Sequence, residues 1–454
     1  MKTVWQKQNA EGMKAIMDFN EGYRQFLSKA KTEREFVDES IKEIEKKGYT
    51  DFYKTEGKLK TGHKVYFNNR GKNLCMFVIG RKPLKDGLNI LGAHIDSPRL
   101  DLKQHPLYEK DGLVLLDTHY YGGIKKYHWV ARPMALHGVV CRKDGTAAVI
   151  SIGEDANDPV VGITDLLIHL AAKQMKKTAA EVIEGEDLDV LVGSIPSDAE
   201  KDPVKDAVLK LLKEKYNIEE DDFISAEIEV VPAGMARDFG LDRSMIMGYG
   251  HDDRVCAYTS MQAILDNDTP ERTSCCILVD KEEIGSVGAT GMHSEFFKNA
   301  VLRLLDRQSE GSFTALSDVL ENSRMLSSDV SDALDPLYAD VNDPKNSAYF
   351  GCGICFNKYT GSRGKGGSND ANAEYVANVR RVMDENEVSF QTCELGAVDV
   401  GGGGTIAYIL AQYNMDVIDA GIAVLNMHAP DEIVSKADVY EGYRAYRAFL
   451  KSMN

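Results

Sequence analysis

What this sequence lacks narrows it first. It has no apolar run long enough to span a bilayer, and Met1-Lys2-Thr3-Val4-Trp5-Gln6 carries none of the apolar stretch of a secretory signal. A soluble, cytoplasmic protein with no membrane partner is the expectation. Positive charge is short: 54 Lys plus Arg against 71 Asp plus Glu leaves a formal net charge of −17, which disfavours nucleic acid and anionic membrane surfaces. The eight cysteines (75, 141, 256, 275, 276, 352, 355 and 393) are scattered through apolar settings in a long chain, so they read as reduced thiols and not as a disulfide framework. Cys352-Gly353-Ile354-Cys355 has CxxC spacing, but no second CxxC or Cys/His pair accompanies it. It lies in a Gly/aromatic run and reads as part of a buried strand. No fixed-period repeat and no low-complexity tail are present.

What is there fills 454 residues, enough for a large core and two or three domains. Residues 8–48 read as helical: Thr32 and Glu35 fit a capping box, Phe36, Val37, Ile41 and Ile44 make a core-facing stripe, and Gly48 stops it. Strands follow around 65–67, 74–79 and 88–93. From about Leu102 to Arg237 the pattern changes to short alternating segments with two helices, near 163–177 and 203–216. This reads as an inserted domain, 102–237, splitting a larger one made of 1–101 and 238–454. On the first of these helices Ile163, Leu166, Leu167 and Leu170 share a face, with His169 on its flank. Residues 357–372 form a polar Gly/Ser/Lys/Arg loop, and a helix follows around 372–384.

One feature recurs. Apolar, strand-like runs give out at His94, at Asp252, at Glu282 with Glu283, at Asp329 and at His428. In open α/β sheets the carboxyl edge of the strands is the ligand-binding edge. Histidines and carboxylates gathered there make a negative pocket that repels itself unless cations fill it. Two histidines and several carboxylates without a thiolate suit Zn2+, with Co2+ or Mn2+ as alternatives. The ligands exceed the needs of one tetrahedral ion, so two ions bridged by a carboxylate are expected. Asp96, two residues after His94, is placed to accept the other ring N–H and orient the imidazole. Gly401–Gly404 before Thr405 leaves two readings open: backbone N–H groups for an anion, or a tight strand-to-helix turn.

The strings GAHIDSPRL (92–100), YGHDDR (249–254), DKEEIGS (280–286), SSDVSDALDP (327–336), GGGGT (401–405) and MHAPDE (427–432) resemble the ordered motifs of the aspartyl aminopeptidase family, most of all its bacterial branch. The resemblance spans nearly the whole chain. It implies an α/β fold, a dizinc exopeptidase-like α/β/α sandwich with an inserted dimerisation domain, and dimers assembling to a dodecamer. It further implies a metal-dependent aminopeptidase releasing N-terminal residues from peptides through a dimetal-activated water, with acidic residues as candidate specificity. Carried over by motif, His94 and Asp329 would hold one zinc, Glu283 and His428 the other, and Asp252 both. Glu282 would be the general base and Asp96 an orienter. His169 matches the family's position for a histidine that reaches a neighbouring subunit's active site. The family's substrate-binding lysine has Lys358, Arg363 and Lys365 as candidates, and Gly403 is the candidate in the glycine run. One departure is Ala429, where family members commonly have Ser after the last histidine.

Two rival readings stand beside the aminopeptidase. A dizinc amidase or deacylase of N-acyl amino acids would need no free amine on its substrate. A non-catalytic shell would need no base beside its ligands, and Glu282 argues against it.

Overall fold

The computed structural model describes residues 2–453. The chain divides into two compact units. The first runs to Asp96, resumes over Ala236–Met427 and closes from Glu432; the second is Ser97–Met235 together with His428–Asp431.

In the first unit, apolar runs too short for helices become strands. The segment Ser274–Val279 is buried at every position, pairs in parallel with Asn89–His94 and antiparallel with Asn73–Val78. A nine-stranded sheet results, in the order Thr50–Asp51, Lys64–Asn69, Asn73–Val78, Ser274–Val279, Asn89–His94, Arg324–Ser327, Asp416–Gly421, Ile354–Asn357 and Phe390–Thr392. Its four central strands are parallel, so their carboxyl ends, His94 among them, share one edge. Alternate residues face opposite sides. Leu91, Cys276 and Leu278 join one core with the helices Ala10–Lys29, Glu33–Lys46, His251–Leu265, Ala373–Glu385 and Lys436–Ser452. Ile90, Cys275 and Ile277 join the other with Phe296–Gln308, Phe313–Glu321 and Ala407–Ala411. This is a three-layer α/β/α sandwich. The Thr32/Glu35 capping box is formed as expected, and the thiols, Cys352 and Cys355 included, are unbridged.

A smaller five-stranded sheet in the same unit runs Arg237–Phe239, Met245–Gly248, Glu432–Ser435, Ala423–Leu425, Ser331–Asp332. It joins the segment that leads into Asp252 to the segment that follows His428.

The second unit is a six-stranded antiparallel sheet, in the order Ala147–Ile152, Met134–Cys141, Ala226–Pro232, Arg99–Lys110, Leu113–Tyr121, Val190–Gly193. The expected helix over 203–216 is Pro203–Tyr216. The one expected over 163–177 is not formed: only 3₁₀ turns at Ile168–Leu170 and Gln174–Lys176 are present. Leu167 is extended at φ −54, ψ 131, and the Asp165 side chain accepts the Leu166 amide, satisfying locally a donor that a helix would use. Of the expected apolar face Ile163 is buried, while Leu166, Leu167 and Leu170 stay exposed, Leu170 at 69%.

Candidate metal centre

His94 ends its strand buried, and its two ring nitrogens have different surroundings. Nδ1 lies 3.0 Å from the Asp96 carbonyl oxygen and 3.3 Å from Asp96 Oδ1. A carbonyl only accepts, so Nδ1 carries a hydrogen, and in the neutral ring Nε2 is then the nitrogen with the lone pair. Nε2 faces Asp252 Oδ1 at 3.2 Å and Glu282 Oε2 at 3.9 Å. Burial alone would push this imidazole down. The Asp252 and Asp96 carboxylates, with the Glu282 charge beside them, overcome that and hold its pKa well above the ordinary value, so that without a metal a proton is favoured on Nε2, the position a metal ion would take.

Asp96 does more than orient a ring. Its Oδ1 accepts the Glu282 amide at 3.1 Å and its Oδ2 the Glu283 amide at 3.2 Å. Those amides belong to a 3₁₀ turn, Glu282–Ile284, flanked by left-handed Lys281 and Gly285 (φ 72 and 95). The turn leaves the end of a fully buried strand, where Asp280 is fixed by the Thr290 hydroxyl at 2.6 Å. Two carboxylates are thereby delivered side by side beyond a buried strand end.

Asp252 opens the helix His251–Leu265 with non-helical angles (φ −79, ψ 111), and Asp253 follows at φ −111, ψ 23. That break places both carboxylates in one neighbourhood. Ligand atoms of His94, Asp252 and Glu283 lie within 4.8 Å of one another, as do those of Asp252, Asp253 and Asp329. Asp252 belongs to both groups. Asp253 is fully buried, and neither of its carboxylate oxygens has a hydrogen-bond partner. Burial first, then the Asp252 charge, pushes Asp253 up; burial, then Asp253 and Glu282, do the same to Asp329. Crowded carboxylates of this kind hold protons or metal. One imidazole lone pair with several carboxylates and no thiolate is a donor set that fits zinc.

Of the residues expected from sequence, the structure brings His94, Asp252, Glu283 and Asp329 into these groups, with Glu282 and Asp96 beside them. His428 is in neither group and belongs to the second unit. Its Nδ1 lies 2.8 Å from the Gly123 carbonyl, which fixes the same tautomer as in His94. His169 sits on an exposed 3₁₀ turn. Lys358 is ion-paired with Asp370. The carbonyl of Gly403 accepts the Gly361 amide at 2.6 Å, and the helix after the glycine run is Ala407–Ala411. Sequence reading missed Asp253, because neighbouring residues in a regular helix or strand do not converge; only the local break brings it in. It also missed Glu432, whose Oε2 accepts the Asp252 amide at 2.9 Å.

A model of the aminopeptidase I zinc metalloprotease (M18) family matches residues 26–450. The chain belongs to the M18 family. A probable M18 family aminopeptidase 1 of Clostridium acetobutylicum is 57% identical to it, over 99% of this chain and 98% of that one. The crystal structure of an M18 aminopeptidase from Thermotoga maritima superposes with a TM-score of 0.96 at 47% identity, covering 99% of each chain. The S. cerevisiae mApe1 dodecamer, 22% identical, shares the fold with a TM-score of 0.75 over 95% of this chain and 96% of its own. The protein is thus a zinc-dependent M18 aminopeptidase with an α/β fold, as the motifs implied. The amidase alternative finds no support in these relationships. Among the described residues no helix is long and apolar enough to cross a membrane.

Proposed function

We propose that this M18 aminopeptidase uses two divalent ions, zinc first, to remove N-terminal residues, Asp and Glu foremost, from peptides. The observation that carries the two-ion reading is the membership of Asp252 in both ligand groups. His94, Asp252, Glu283, Asp329 and His428 are the proposed ligands, with Asp253 added beside Asp329. In both histidines a carbonyl on Nδ1 presents Nε2 as the ligating nitrogen. When bound, the metal supplies Lewis-acid polarisation of the scissile carbonyl and lowers the pKa of water at the site.

The protein's own part in the reaction falls to Glu282. It is in neither ligand group, stays 17% exposed at its side chain, and lies 3.9 Å from His94 Nε2. Such a carboxylate can take the proton of the attacking water and return it to the departing amine. Asp96, holding the Glu282 main chain and the His94 ring at once, keeps base and ligand in register.

The acidic preference rests on the 357–372 loop. Lys358 and Lys365 both pair with half-exposed Asp370, the latter at 2.9 Å, and Arg363 of the same loop stands beside them as our candidate for the substrate carboxylate. We further propose that the second unit is the dimerisation domain and that His169, among exposed Leu166, Leu167, Ile168 and Leu170, meets a second copy. Exposed apolar patches of this kind mark interfaces, and the yeast relative is a dodecamer.

The test is hydrolysis of Asp, Glu, Leu, Lys and His p-nitroanilides, with and without a chelator and added Zn2+, Co2+ or Mn2+, beside N-blocked controls. Chelator-sensitive release favouring Asp and Glu supports the whole proposal. Release favouring another residue keeps the centre and removes Arg363 from its role. Turnover of the blocked substrates would discard the aminopeptidase assignment of the site residues.

A further inference from the structure

Beside the Glu282 carboxylate, the other carboxylates at the centre and its surroundings divide by what they hold. Asp252, Asp253, Glu283 and Asp329 meet in the ligand groups. Asp96 instead accepts main-chain amides of Glu282 and Glu283, and Glu432, almost fully buried, accepts the amide of Asp252 at 2.9 Å. The first amides of a helix have no intrahelical acceptor, and no side-chain cap comes from Gly250. An acceptor must therefore come from elsewhere in the fold.

Glu432 is rigidly placed to be that acceptor. It begins the buried strand Glu432–Ser435 and sits opposite Gly248 in the antiparallel register with Met245–Gly248, the strand that leads through Gly250 into Asp252. The ladder fixes the distance between the Glu432 Cα and the start of the helix. The glutamate side chain then spans the gap to the Asp252 amide. Asp252 is the residue common to both ligand groups, so a shift of its main chain would move both groups at once.

From this we infer that Glu432 is a positioning residue for the metal centre: its carboxylate sets the main chain of Asp252 so that one side chain serves both ligand groups. The inference rests on the reading of Asp252 as a shared ligand. It makes reach, and not charge, the property that matters at position 432. Glu432→Gln keeps the length and an acceptor oxygen while removing the charge. Glu432→Asp keeps the charge but is one methylene too short to meet the Asp252 amide.

The experiment measures zinc retention against a competing chelator, the visible spectrum of the Co2+-substituted protein, and kcat and KM, for the parent protein and for Glu432→Gln, Glu432→Asp and Asp252→Asn. Loss of an outer-shell partner commonly costs about 10–100-fold in metal affinity or activity. Glu432→Asp is expected to lose about that much in zinc retention and kcat, with an altered Co2+ spectrum and KM little changed, while Glu432→Gln stays within about threefold of the parent. Equal retention and spectra in all Glu432 variants would overturn the positioning role, as would a larger loss in Glu432→Gln than in Glu432→Asp, which would make charge the cause. If Asp252→Asn itself binds the parent's complement of zinc, the shared-ligand reading fails first, and that outcome is separable from the others. Should Glu432→Asp not fold, the Co2+ spectrum of Glu432→Gln decides: a changed coordination spectrum there overturns the inference.

Discussion

Asp96 and Glu282 are 186 positions apart in the chain, yet the carboxylate of one accepts the amide of the other at 3.1 Å. The bond crosses between adjacent strands whose ends carry His94 and the Glu282–Glu283 pair. Asp96→Ala removes the acceptor of two amides and a partner of the His94 ring together. Zinc affinity and kcat should each fall about 10–100-fold, read by chelator competition and steady-state kinetics; parent-like values for both would show that the turn holds its shape alone.

Glu282→Gln preserves size and removes the base. General acid–base groups typically contribute about 10²–10⁴-fold, and kcat should drop within that range while the zinc content, measured by elemental analysis, stays at the parent's level. Unchanged turnover would move the base elsewhere.

Removing the metal should cost stability as well as activity. The Asp252, Asp253, Glu283 and Asp329 carboxylates repel one another without a cation, and a ligand that binds the folded state stabilises it by mass action. Chelated protein should melt at a lower temperature than zinc-loaded protein, and Asp253→Asn should narrow that gap.

Gly421 bears on the centre through sterics. A Cβ there would meet the Asp329 carbonyl oxygen at 1.7 Å, a contact no flexible side chain relieves. Gly421→Ala should displace Asp329 and lower activity by about an order of magnitude or more. Full activity in a folded Gly421→Ala protein would contradict this geometry.

A pH dependence of stability should come from Asp438, which is in neither ligand group. Its oxygens accept the amides of Gly351 and Gly353, each at 2.7 Å, and burial pushes its pKa from 3.8 to about 7. The folded state thus binds this proton more tightly than the unfolded chain does. Its contribution to stability is complete below about pH 4 and is lost as pH rises through about 7. Asp438→Asn should flatten the fall in unfolding free energy across that window, measured by urea titration at several pH values; an unchanged slope would assign it to other groups, such as buried Asp419, pushed up to about 6.

Much of the centre could be read from sequence because chemistry-bearing residues followed directly on apolar runs. The segment Ser274–Val279 is buried throughout, and a run with that pattern has few alternatives to a central strand. His94, Asp252, Glu283 and Asp329 came with it. The Thr32/Glu35 cap was equally legible, since both partners lie within one helical turn. Asp253 and Glu432 were hidden for opposite reasons. Asp253 depends on dihedral angles that no residue type dictates, and Glu432 on a strand register formed with residues almost two hundred positions earlier. At 163–177 an apolar stripe of helical period stands on extended and 3₁₀ backbone with its leucines exposed. Periodicity there reports a surface to be covered, and it does not report what covers it.

The strand order has a consequence in time. The ligand-bearing ends at 94, 279 and 327 become neighbours only when Asn89–His94 is enclosed between Ser274–Val279 and Arg324–Ser327, and parallel pairings over such separations are slow to form. A ribosome must release well over half the chain before any two of these ends can meet. The ends that gather His94, Glu283 and Asp329 are therefore assembled late in the growth of the chain.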